Sequence, residues 1–92
     1  MKSAMRVVTT NRFERDVLLI KKRGKDMSKV QIFLGLLASR SDIPVKYKNH
    51  KLKGNFKDRW ECHIEPDWLL MYRVKDNIIQ LERTGTHADL FK

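Results

Sequence analysis

Arg59-Trp60-Glu61-Cys62-His63-Ile64-Glu65-Pro66-Asp67-Trp68-Leu69-Leu70-Met71-Tyr72-Arg73-Val74 is the stretch that decides how this chain folds. From Arg59 to Glu65 the residues alternate, with Trp60, Cys62 and Ile64 on one side and Arg59, Glu61, His63 and Glu65 on the other. A period of two with one apolar side is the pattern of a half-buried strand. Glu65-Pro66-Asp67 reads as a tight connection. The nearly continuous apolar run from Trp68 to Val74 then suits a central strand covered on both faces. Lys75-Asp76-Asn77 is a second turn, Ile78 to Thr84 a further strand, Gly85 a break, and Thr86 to Phe91 a short tail.

Upstream, the short β-branched segment Met5 to Thr10 reads as a first strand. Asn11 is placed to cap a helix running to about Arg23, with Phe13, Val17 and Ile20 on one face and Gly24 ending it. Asp26 is placed to cap a second helix, whose Val30, Phe33, Leu34 and Leu37 form an apolar stripe. Residues 40–57 have loop character: Ser41, Asp42, Pro44 and Gly54, with lysines at 46, 48, 51, 53 and 57. The order β-α-α-β-β-β describes one α+β domain over residues 1–92, a helical hairpin packed on one face of a small antiparallel sheet. The opposite sheet face is left for function.

Composition narrows the class of partner. Twenty Lys and Arg against eleven Asp and Glu give a net charge of +9 in 92 residues, and the excess lies in the first two thirds. Such a surface favours a polyanion through phosphate contacts and counterion release, the alternative being a solvated surface that only aids solubility. No segment approaches the roughly 20 apolar residues of a membrane span. MKSAMRVVTT lacks the apolar run of a signal peptide. Cys62 has no partner for an internal disulfide, so a reducing cytoplasm is the expected compartment.

Three histidines stand at 50, 63 and 87. His63 lies on the polar side of its strand, His50 closes the lysine-rich loop and His87 follows the last strand. A meander could bring all three to one cleft, where imidazoles suit proton transfer near neutral pH; they could equally be scattered surface groups. Asp67 either orients a histidine or simply forms the turn, and Trp68 either stacks on a base or fills the core. Phe91 is either an anchor for the tail or an exposed stacking ring. Lys51 and Lys53 have the character needed to follow a phosphate backbone, or to solvate a loop.

The spacing of cysteine and histidines excludes a zinc finger, and neither a phosphate-binding loop nor a nucleophile elbow is present. RNA transesterification is compatible with what remains. It needs a base for the 2′-hydroxyl, an acid for the departing 5′-oxygen and cations around the phosphorus, and it calls for no metal or other cofactor.

His50-Lys51-Leu52-Lys53-Gly54, Glu61-Cys62-His63-Ile64-Glu65-Pro66-Asp67-Trp68 and Arg83-Thr84-Gly85-Thr86-His87 with Phe91 together resemble the YafQ branch of the RelE toxin superfamily. The resemblance spans the second half of the chain, and Lys22-Arg23-Gly24-Lys25-Asp26-Met27-Ser28-Lys29-Val30 matches the same branch between its helices. It implies a toxin of a type II toxin–antitoxin system, an endoribonuclease that enters the ribosomal A site of the 30S subunit and cuts the mRNA codon there. It also implies a cognate antitoxin, expected from the +9 charge to be acidic and to fold on binding. The active site implied is His50, His63, Asp67, Trp68, His87 and Phe91. His87 is expected as the general acid and His50 and His63 as base or phosphate stabilisers, with Lys51, Lys53 and Arg83 offsetting phosphate charge. The chain departs from the branch in having Arg59-Trp60-Glu61 where relatives carry an aromatic-Arg-Glu order. Two rival readings are a ParE-like toxin of the same fold acting on DNA gyrase and a non-catalytic RNA- or ribosome-binding module. A gyrase poison has no need of three histidines and an aspartate.

Overall fold

The computed structural model describes residues 5–91; residues 1–4, which belong to the stretch considered for a signal peptide, and Lys92 lie outside the described residues. Strand β1 (Arg6–Thr9) leads into helix α1 (Asn11–Lys22). Its cap is Thr10, one residue earlier than expected, whose Oγ1 accepts a hydrogen bond from the Phe13 N–H at 3.0 Å. Gly24, at φ +81°, closes the helix: its own N–H bonds to the Lys21 carbonyl and the Lys25 N–H to that of Ile20. That left-handed closure favours glycine. Helix α2 (Ser28–Ala38) follows, with the Asp26 carboxylate accepting from the Ser28 N–H.

The last four strands are β2 (His50–Lys51), β3 (Trp60–Glu65), β4 (Trp68–Lys75) and β5 (Ile78–Gly85), and the sheet order is β1-β5-β4-β3-β2. All neighbours are antiparallel except β1 and β5, which run parallel from Arg6 opposite Ile78 to Thr9 opposite Leu81. The sheet is therefore mixed, not antiparallel. The helical pair carries the chain from one edge of the sheet to the other, and the meander then returns until β5 lies beside β1 in the same direction. The segment read as loop contains β2 and two 3₁₀ turns, Val45–Tyr47 and Gly54–Phe56.

The helices cover one sheet face. Phe13, Ile20, Val30 and Phe33 pack there with Cys62, Trp68, Leu70, Tyr72, Ile79 and Leu81. Burial pushes the Cys62 thiol well above its ordinary range, so it stays protonated. The opposite face is not left open. Thr86 to Phe91 is no loose tail: residues His87–Phe91 form helix α3, whose Leu90 buries Leu69 and Met71 together with Leu52. Two register shifts decide which side chains emerge. On β3, His63 pairs with Leu69 and Glu65 with Trp68, leaving Ile64 as an extra residue. On β5, Met71 pairs with Arg83 and Tyr72 with Leu81, leaving Glu82 as the extra residue. A bulge of this kind inverts the alternation beyond it. Thr84, not Arg83, thus continues the buried row of Ile79 and Leu81.

Candidate active site

His63 and His87 come together: their ring centroids are 5.9 Å apart. Each is held by a different device. His63 Nδ1 lies 3.2 Å from the Pro66 carbonyl oxygen. A carbonyl only accepts, so Nδ1 carries the proton and Nε2 is left to accept one. His87 begins α3, and the Asp67 carboxylate lies beneath it, accepting from the His87 backbone N–H at 3.3 Å and standing 3.6 Å from its Nδ1. Asp67 thereby orients His87 with Nε2 pointing away from the carboxylate. Phe91 lies one helical turn on, with its ring 6.1 Å from that of His87 and 41% exposed. Its other neighbour is Phe56, in an edge-on contact at 5.4 Å. Of the two alternatives for Phe91, the structure gives a ring that is both anchored and accessible.

His50 has its own partners, Lys48 and Glu61, and Glu61 shares strand β3 with His63. The His50 Nδ1 donates to the Lys48 carbonyl at 2.7 Å, and its Nε2 lies 3.5 Å from Glu61 Oε1. Glu61 is 5% exposed and its second oxygen has no protein partner among the described residues. A buried carboxylate oxygen without a partner is costly, and such groups cluster where they act. Alternation placed Glu61 on the same side of β3 as His63, and that was the available signal for it. Lys51 and Lys53 are exposed beside His50.

Two expected site residues are placed differently. Trp68 is 1% exposed, and its Nε1–H donates to Thr84 Oγ1 at 2.8 Å, while Thr84 donates to the Leu69 carbonyl. It is a core residue and cannot stack on a base; the central position of β4 buries it beneath the helices. Arg83 does not point at the histidine pair. Its guanidinium is clamped by both oxygens of Asp16 on α1, at 2.7 and 3.2 Å, and also donates to the Asp89 carbonyl. Arg59, the point of departure in the motif, donates to Glu82 at 3.1 Å.

A family model described as the bacterial toxin of a type II toxin–antitoxin system, YafQ, matches residues 5–92. The chain belongs to the YafQ toxin family. The mRNA interferase toxin YafQ of Escherichia coli K12 is 42% identical over 83 residues, which is 89% of this chain and 90% of that protein. The crystal structure of YafQ from E. coli BL21(DE3) superposes with a TM-score of 0.88 at 38% identity, covering 96% of this chain and 99% of that one. The E. coli DinJ–YafQ toxin–antitoxin complex gives a TM-score of 0.87 at 38% identity, covering 98% of this chain and all (100%) of that chain.

The candidate site also depends on residues that the sequence did not single out. Thr86 and Asp89 form a reciprocal cap on α3: Thr86 Oγ1 accepts from the Asp89 N–H, and the Asp89 carboxylate accepts from the Thr86 N–H at 2.9 Å. That carboxylate also takes Arg23, the residue just after α1, at 2.7 Å, and these partners hold it well below the usual carboxylate range. Gly85, at φ +152°, is required beneath it, since a Cβ there would lie 2.7 Å from Asp89 Oδ2. Thr-x-x-Asp is a recognisable capping pattern, so α3 was legible at Thr86-His87-Ala88-Asp89. Asp16 gave no comparable signal, because its partner Arg83 is 67 residues away.

Proposed function

We propose that this chain cleaves mRNA at the codon in the ribosomal A site, by proton transfer between its own side chains. The observation that supports it is the His63–His87 pair with Asp67 beneath His87. His63 Nε2, bare while Nδ1 is committed to Pro66, takes the proton of the 2′-hydroxyl. The freed oxygen attacks the adjacent phosphorus, and the bond to the 5′-oxygen breaks. His87, charged and with Nδ1–H turned to Asp67, delivers its Nε2 proton to that leaving oxygen. The products are a 2′,3′-cyclic phosphate and a 5′-hydroxyl, and the two histidines have exchanged protonation states. His50, oriented by Glu61, together with Lys51 and Lys53, offsets charge on the phosphorane. Phe91 offers a face to the base. Arg83 holds α3 to β5 and α1, and through α3 it fixes His87.

The ribosome supplies the mRNA strand, and a cognate acidic antitoxin that folds on the basic surface restrains the toxin in the cytoplasm. The decisive experiment maps RNA ends on a defined mRNA in a translation extract, with and without ribosomes. Cuts within the A-site codon, only when ribosomes are present, are expected. Cuts that ignore the ribosome would overturn its role. An intact mRNA with halted replication would favour a gyrase-directed toxin.

A further inference from the structure

Between α2 and the 3₁₀ turn Val45–Tyr47 lies a cleft of about 550 Å³ that shares only His63 with the proposed reaction. It is lined by Lys29 and Ile32 of α2, by Lys46 and Lys48 at the turn, and by His63 and Pro66. Its charge is not uniform. Lys29 is bound to Glu65 at 2.6 Å, as is Lys25, so that carboxylate is neutralised inside the cleft. Lys46 and Lys48 are exposed and make no ion pair among the described residues, and Ile32 is 60% exposed.

We infer that this cleft carries the single-stranded RNA that continues beyond the scissile phosphate, with Lys46 and Lys48 on its phosphates and Ile32 and Pro66 against its bases. The inference rests on the reading of the chain as an RNA-cleaving toxin. Three observations favour a nucleic-acid strand. His63 lines the cleft and also faces His87 at 5.9 Å, so a strand whose phosphate sits between the two histidines has the cleft directly beside it. Its volume falls within the roughly 300–1,000 Å³ of ligand clefts. Its make-up, two exposed lysines without ion-pair partners among the described residues (Lys46 over the Tyr47 ring at 5.2 Å) together with the apolar Ile32 and Pro66, suits the phosphates and flat bases of a single strand.

The test uses the full chain and a short 2′-O-methyl oligoribonucleotide, which cannot be cut, with binding read by fluorescence anisotropy over a range of salt. Lys48 sits at φ +46°, where asparagine is tolerated, so the variant is Lys46→Ala with Lys48→Asn. The control removes the same charge elsewhere, as Lys21→Ala with Lys22→Ala on α1. The cleft variant is expected to bind roughly tenfold more weakly, with a salt slope shallower by about 1.4, near 0.7 for each phosphate of a single strand that no longer meets a lysine. The control should change both much less. Equal losses in the two variants would reduce the effect to net charge and overturn the inference. Poly-glutamate bound as tightly, with the same dependence on Lys46 and Lys48, would overturn it in favour of an acidic polypeptide. Single-turnover cleavage on programmed ribosomes separates this inference from the function beneath it. A cleft variant that cuts with the parental KM sinks the RNA path while the nuclease stands. A parent that binds the oligonucleotide through the cleft but cuts no mRNA sinks the nuclease, while the binding path is upheld.

Discussion

His87 can be removed without opening a core cavity, because its side chain is more than half exposed at the start of α3. His87→Ala is therefore expected to fold normally and to slow single-turnover cleavage by roughly 10²–10⁴-fold, the range for a lost general acid. Ribosome binding, measured separately, should change little, since one imidazole is a small part of a many-lysine surface. Unchanged cleavage would move the acid role to another histidine. Trp68 makes the converse case. Trp68→Phe loses the bond to Thr84 and part of its packing, which should cost roughly 1–3 kcal/mol of stability in denaturant titration. Cleavage per folded molecule should persist, and a variant that is stable but inactive would return Trp68 to the base pocket. At this scale the sequence was readable wherever a residue's chemistry was local. His63, Asp67 and His87 meet because short turns and a cap bring them together. Trp68 misled because an aromatic beside a motif looks the same whether its ring is buried or not, and only the neighbours across the sheet decide.

Helix α3 carries both His87 and Phe91, yet it has only five residues and would not hold its shape alone. It is held by Leu90 in the second core, by the cap from Asp89 and by two arginines, Arg23 at the end of α1 and Arg83 on β5. Asp89→Asn is expected to cost about 1 kcal/mol, the usual worth of a cap, and to lower kcat more than it raises KM. The pH dependence has a definite sign. A carboxylate held low in the folded state adds stability above its unfolded pKa, 3.8, and loses it as the pH falls through the lowered folded value. The stability gap between parent and Asp89→Asn should thus be constant above about pH 5 and shrink below pH 4. A gap that persists unchanged in acid would argue against the clamp. Gly85→Ala should loosen the same helix by displacing Asp89, and hydrogen exchange at Leu90 and Phe91 would register it. The alternation of β3 and the apolar run of β4 were clear from the sequence. The bulges at Ile64 and Glu82 were not, because an extra residue in a strand leaves no mark on composition.

Across the whole molecule, a net charge of +9 makes every anionic partner sensitive to ionic strength. A complex with the proposed antitoxin is expected to weaken as salt rises from low to high, and an affinity indifferent to salt would argue against a charge-led interface. The order of elements was legible from hydrophobic periodicity, whereas the parallel pairing of β1 with β5 was not, since nothing local in Arg6–Thr9 names its neighbour. That pairing has a consequence in time. Arg6 meets Ile78 only after the intervening 71 residues have been made, so the first strand of the sheet must wait for the last. Closing so long a loop is slow compared with forming the helical hairpin between them. While the chain is being synthesised, α1 and α2 form beside an unfinished sheet, and His87, which follows the last strand, has nothing to sit upon. A nascent chain still on the ribosome therefore carries no assembled histidine pair, and the candidate site is completed only after release.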